Sequence, residues 1–315
     1  MPDRPDHAGA ASHDHAHASG PSRPAPDFGR AFAIATALNL AFVGFEVVGA
    51  VFANSTALLA DAGHNLGDVL GLVGAWVAAL LALRLPSARY TYGLRSGTIL
   101  ASMANAAILL VSIGAILVEA VRRLVSPLPV AADWVAAIAL VGIAVNGGTA
   151  FLFASGRRGE LNVRSVFRHM TGDAVISAGV VVAALAVAAT GWSRIDPMAS
   201  ILIVVAIGWS TWTLFRESLA MMLDAVPPGI EPGEVRAYLL GLPGVVAIHD
   251  LHIWPMSTTE TALTCHLVMP GIAPDPEFMV EVGRVLARDF GIGHPTLQVE
   301  CASDVTCVLA PDRVV

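Results

Sequence analysis

Lysine is absent from this 315-residue chain, whose 18 basic side chains are all arginine. Charge of either sign is scarce: Asp, Glu and Arg make up 14% of residues, while 55% are hydrophobic. A soluble globular domain carries roughly 25% charge, so most of this chain must be solvated by lipid. Cysteine is nearly missing too. Cys265, Cys301 and Cys307 all lie in the polar C-terminal part, and three residues make no even-numbered disulfide framework, which suits a reducing compartment. No GxxxxGK[ST] stretch occurs, which removes coupling to ATP through a P-loop. No HExxH occurs either, which argues against an intramembrane metallohydrolase. The first 28 residues lack the apolar core of a signal peptide.

What is present is long apolar sequence. Six stretches, at about 30–53, 57–83, 96–121, 133–154, 171–191 and 197–222, each approach the roughly 20 residues that span a bilayer as helix. Turn-forming residues separate them: Asn54-Ser55, Pro86-Ser87, Pro127 with Pro129, residues 156–159 (GRRG) and Asp196-Pro197. Arginine placement sets orientation. The leader and the loops after the second and fourth stretches hold ten arginines, against Arg122, Arg123 and Arg194 on the opposite side. The positive-inside rule then places both termini in the cytoplasm.

Within these apolar stretches a His and an Asp twice sit four residues apart: His64 with Asp68, and His169 with Asp173. That step is close to one helical turn, so each pair projects from one face, about 6 Å apart along the axis. Ionisable groups in a bilayer cost several kcal/mol unless compensated, which makes them functional candidates by default. Two imidazoles and two carboxylates suit the four-coordinate shell of a divalent transition metal. To frame His169 helically, the fifth span must start near Val163. The competing reading is two interhelical His–Asp contacts that only hold helices together. Asp61, one turn before His64, has three open roles: proton group, partner for His64 or helix cap. Asn39, Glu46 and Asn146 read as bundle packing rather than ligation.

Beyond Pro227-Pro228 the pattern changes. A short helix at 231–241, strands at 245–254 and 260–269 around the turn PMSTT, a helix at 275–290 and a strand at 296–301 predict a small αββαβ domain, ferredoxin-like in layering. The division expected is a leader at 1–28, a six-helix transmembrane domain at 29–224, the αββαβ domain at 225–302 and a tail at 303–315. From residue 226 onward there are 11 acids against 4 arginines, which argues against nucleic acid and is compatible with cations. The hairpin turn brings 249–250 opposite His266, within a residue of register, while His294 and Glu300 flank the last strand. Four histidines, His7, His13, His15 and His17, cluster in the leader. They are equally readable as weak zinc capture or as a solvated tail.

LADAGHNLGDVLGL in the second span, HMTGDAVISAGV in the fifth and IHDLHIWPMSTTETALTCHLV in the tail resemble the cation diffusion facilitator family, in its bacterial zinc and zinc/cobalt/cadmium branch. The likeness covers nearly everything from residue 30 to 301. It implies a homodimer in the bacterial inner membrane. Such a dimer exports cytoplasmic Zn²⁺, with Co²⁺ or Cd²⁺ as further candidates, in exchange for protons, and is a transporter rather than an enzyme. The transport ligands carry over as His64, Asp68, His169 and Asp173, and His at the first position leans toward zinc over cadmium. The resemblance also implies a cytoplasmic zinc site from His249, His266, His294 and Glu300. Cys301 and Cys307 lack the close CxxC spacing of some relatives and stay outside that set. RLPSARYTYGLR, between the second and third spans, holds no His, Cys, Asp or Glu, so no metal is expected there. A membrane sensor that recruits partners through its tail is the remaining alternative class.

Overall fold

Apolar runs of this length fold as helices because a helix satisfies its backbone polar groups internally, which lipid cannot do. The computed structural model describes residues 28–153, 161–271, 273–301, 307 and 309. The leader histidines and Arg157-Arg158 lie outside the described residues. Six helices come first: α1 Phe28–Phe52, α2 Thr56–Ala82, α3 Gly97–Val125, α4 Ala132–Phe153, α5 Leu161–Thr190 and α6 Ile195–Met222. Five of them, α2 to α6, contain membrane-spanning lengths of apolar sequence, and α1 adds the shorter apolar run Ala37–Phe52. Large apolar side chains such as Phe151, Trp209 and Val111 face outward and are exposed, where lipid solvates them.

α5 begins at Leu161, well before the apolar run at 171, as the helical framing of His169 requires. α2 is the shared neighbour, touching α1, α3, α5 and α6. Close approach to α3 depends on Gly67, where a Cβ would collide with the Leu109 side chain. The N-terminus of α2 is fixed by two side chains. Ser55 caps it, accepting from the Leu58 amide at 3.0 Å. Asp196, buried at the start of α6, accepts from the Thr56 amide at 2.7 Å, from Thr56 Oγ1 at 2.8 Å and from Ser55 Oγ. A carboxylate there also meets the positive end of the helix dipole.

The soluble part follows as α7 Pro232–Leu240, β1 Ala247–Pro255, β2 Thr261–Val268, α8 Pro276–Phe290 and β3 His294–Glu300, the expected αββαβ order. Its sheet runs β1-β2-β3, antiparallel between β1 and β2 and parallel between β2 and β3. Val235 and Leu239 of α7 and Val282 and Leu286 of α8 bury against Ile248, Ile253, Leu263, Cys265 and Leu267 of the sheet. The helix α8 starts at Pro276 because Asp275 caps it (Phe278 N donates at 2.7 Å), and it stops at Gly291, whose φ of 69° only glycine adopts readily.

The soluble domain docks on the loop that joins α2 to α3. Arg95 pairs with Glu260, Ser96 Oγ donates to the Met256 carbonyl at 3.3 Å, and the Thr258 amide donates to Thr98 Oγ1 at 3.1 Å. Because three donors converge on the one Asp196 carboxylate, Asp196→Ala is expected to lower stability by about 1–3 kcal/mol. A thermal melt of the detergent-solubilised chain checks this, with Asp133→Ala, which removes only an exposed carboxylate from the first turn of α4, as the comparison expected to shift less.

Candidate metal centres

α2 and α5 bring the two His–Asp pairs face to face. His64 Nε2 lies 3.5 Å from Asp68 Oδ2 and 3.4 Å from Asp173 Oδ1. His169 Nε2 lies 3.3 Å from the same Asp68 oxygen and 3.7 Å from Asp173 Oδ2. Imidazole and carboxylate therefore alternate around a closed ring in which each histidine touches both acids. The two imidazoles meet edge to face, with centroids 6.2 Å apart. Four ligands set tetrahedrally around zinc at about 2.0–2.2 Å are separated by edges of roughly 3.3–3.6 Å. The four ring edges have about that length, but among the described residues one donor atom each from His64, Asp68 and Asp173 falls within 4.8 Å of the others, and His169 closes the ring without joining that set. Asp68 Oδ2 and His64 Nδ1 are buried and lack a hydrogen-bond partner among the described residues, so one acceptor at the ring's centre of contact is unsatisfied without a cation. The ring is closed on one side and open on the other: the Asp173 side chain is 4% exposed and that of His169 41%.

A second layer of polar groups lies one turn along α2. Asp61 accepts from Ser177 Oγ at 2.7 Å, so it neither caps α2, which Ser55 does, nor bonds to His64 Nδ1. Asn65 Nδ2 donates to Glu46 Oε2 at 3.0 Å, tying α2 to α1. Asn39 reaches across to Met170, Nδ2 to Sδ 4.0 Å, and Asn146 is fully buried on α4.

In the soluble domain β1 and β2 put His249 directly opposite His266, with ring centroids 4.7 Å apart. Glu300, at the end of β3, accepts from both: Oε2 lies 3.2 Å from His249 Nε2 and Oε1 lies 2.8 Å from His266 Nδ1. Burial acts to raise the Glu300 carboxyl, but bonds from His266, His249 and Cys307 outweigh it and hold the group below the usual carboxylate range. Cys307 Sγ sits 3.6 Å from His266 Nδ1, and one donor atom from each of these four residues falls within 4.8 Å of the others. Nitrogen, oxygen and sulfur at that spacing form a donor set suited to zinc. A β-bulge between His249 and His252 places Asp250 at φ 53°, with its Oδ1 2.9 Å from His252 Nε2 and its Oδ2 3.7 Å from His266 Nε2.

One expected ligand stands apart. His294 opens β3 opposite Ala262, and its ring packs edge to face on Tyr92 of the α2–α3 loop at 5.8 Å. Six strand steps lead from it to Glu300, a distance of about 20 Å, so within one chain the two cannot share an ion. Cys307, set aside for want of a CxxC partner, is the residue that joins instead. Sequence spacing carries no signal for this, because the approach is made by chain returning after β3.

Known proteins show the same two-part division. Residues 32–223 match the cation efflux transmembrane domain and residues 227–302 the cytoplasmic domain of cation efflux proteins. The chain is 34% identical over 293 residues to the metal cation efflux system protein CzcD of Cupriavidus metallidurans, covering 93% of this chain and 90% of that one. It is 32% identical over 291 residues to the zinc transporter ZitB of Escherichia coli, covering 92% of each. It is also 32% identical over 260 residues to the cadmium, cobalt and zinc/H(+)-K(+) antiporter of Bacillus subtilis, with 81% and 83% covered.

Cys265 precedes His266 on β2, yet its side chain turns to the opposite face, as strand alternation requires. There it is 1% exposed, and burial pushes its thiol up to about 12. The reactive thiolate form is therefore scarce near neutral pH. Maleimide treatment of the folded chain is expected to modify Cys301, which is exposed, and to leave Cys265 unmodified until denaturant is added; peptide mass mapping distinguishes the two.

Proposed function

The chain belongs to the cation efflux family, a multi-pass membrane transporter of divalent metal cations and not an enzyme, and from that premise we propose that it exports Zn²⁺ in exchange for protons through His64, Asp68, His169 and Asp173. The observation that carries this reading is the closed ring of alternating imidazole and carboxylate, with edges of 3.3–3.7 Å. Zinc has no ligand-field preference, so it tolerates the deformation that alternating access imposes. Metal binding needs neutral imidazoles and ionised carboxylates and therefore displaces protons. The ligands come as rigid i, i+4 pairs from two helices, so movement of α5 against α2 stretches the inter-helix edges of the ring and leaves the intra-helix ones intact. Two different Asp173 oxygens face the two histidines, which lets this carboxylate pivot between them during that movement.

The soluble domain is assigned a regulatory zinc site built from His249, His266 and Glu300, with Cys307 in place of the expected His294. We assign homodimerisation through this domain and the membrane helices, placement in the inner membrane and cytoplasmic termini. The arginine asymmetry supports the last of these. The domain limits are taken as 1–28, 29–224, 225–302 and 303–315.

Metal-resolved flux in reconstituted vesicles tests the ring. Asp173→Ala is expected to abolish zinc flux while elution volume and helicity stay unchanged; retained flux removes Asp173 from the site. His64→Asp, which replaces a nitrogen donor with oxygen, is expected to admit cadmium at a rate comparable to zinc. Zinc bound per chain, measured by mass spectrometry of metals after desalting, separates the second site. His266→Ala is expected to lose one ion per chain, and His294→Ala none.

A further inference from the structure

Glu46 on α1 and Asp61 on α2 are both fully buried, and Asn65, which binds Glu46, stands one helical turn from Asp61 on the same face of α2, so the two carboxyl groups are neighbours. Each has one oxygen engaged, Glu46 Oε2 by Asn65 Nδ2 at 3.0 Å and Asp61 Oδ2 by Ser177 Oγ at 2.7 Å. The remaining two oxygens, Glu46 Oε1 and Asp61 Oδ1, have no donor among the described residues. Ionised carboxylates only accept, so two of them cannot satisfy one another. One proton between them resolves both orphaned oxygens, and it removes the repulsion of two like charges buried side by side.

We propose that Glu46 and Asp61 form a proton-holding carboxyl pair, separate from the metal ligands, which supplies one of the protons exchanged for the metal. The assignment rests on the reading of the ring as a metal/proton exchange site. Asp61 lies one turn of α2 from His64, and Asn65, which holds Glu46, is the residue next to His64. A divalent cation in the ring favours the doubly ionised pair; the shared O–H bond then breaks and the proton passes to water. When the cation leaves, the pair takes a proton back. The charged and titratable groups facing the pair are His64 of α2 and Asp173 of α5. Asp196 of α6 is occupied at the start of α2 by Ser55 and Thr56. Both donors that reach the pair, an amide and a hydroxyl, point hydrogen atoms into it, an arrangement that suits a proton and not a metal cation.

Isothermal titration of zinc into the full-length chain in nanodiscs, repeated in two buffers of different ionisation heat, counts the protons released. Glu46→Gln and Asp61→Asn keep the size and the hydrogen-bond geometry of the pair. Both are expected to release about one proton fewer per zinc than the parent, with zinc affinity changed by no more than about threefold. Zinc-induced infrared difference spectra are expected to lose a protonated-carboxyl band that the parent shows. Glu46→Asp is expected to restore both signals, which a purely structural role for Glu46 does not predict. Unchanged proton release in both isosteric variants, or persistence of the carboxylic band in both, overturns the proposal. Failure of the underlying reading looks different: zinc flux in reconstituted vesicles would then survive Asp173→Ala, and the variant would bind as many zinc ions per chain as the parent.

Discussion

In a layer without water, every ionisable or polar side chain on a helix must find its partner on another helix, and in this protein α2 is where that requirement concentrates. Reading along it, Thr56 is held by Asp196 of α6, Asp61 by Ser177 of α5 and Asn65 by Glu46 of α1. His64 and Asp68 are held by Asp173 and His169 of α5. Apolar packing alone gives helices in lipid little reason to choose one neighbour or rotation. This ladder of polar pairs supplies that choice, fixing the rotation of α2 against three partners at once. The proposed metal ligands are thus one rung of the framework that assembles the bundle.

The two candidate centres use similar donors and different architecture. In the bundle, helical periodicity supplies the pairs and interhelical contact completes the ring. In the soluble domain, a cross-strand pair supplies His249 and His266, the end of a parallel strand supplies Glu300, and chain beyond the sheet supplies Cys307. Strand alternation divides neighbouring residues between two faces there. His266 faces the cluster while Cys265, one position earlier, is part of the apolar core.

Regular periodicity was the part most legible in the sequence. The His-x-x-x-Asp spacings placed each pair on one helix face, and the tail pattern gave the αββαβ order and the opposition of His249 to His266. What spacing does not encode is which residues meet across elements. The ring crosses over, each histidine contacting the acid of the other helix, and nothing local signals that. The family resemblance grouped His294 with Glu300, although the strand between them separates its ends by more than one ion can bridge. Glu46 read as packing because no acidic partner is near it in sequence; Asp61 becomes its neighbour only when α1 folds back along α2.

The docking of the sheet on the α2–α3 loop has a mechanical consequence. Arg95, Ser96 and Thr98 grip the β1–β2 turn, while Tyr92 abuts the start of β3. That loop is continuous with the helix bearing His64 and Asp68. A displacement of the soluble layer, however produced, is delivered at the end of that helix as torque. The protein thus has a lever already joined to one half of the His–Asp ring.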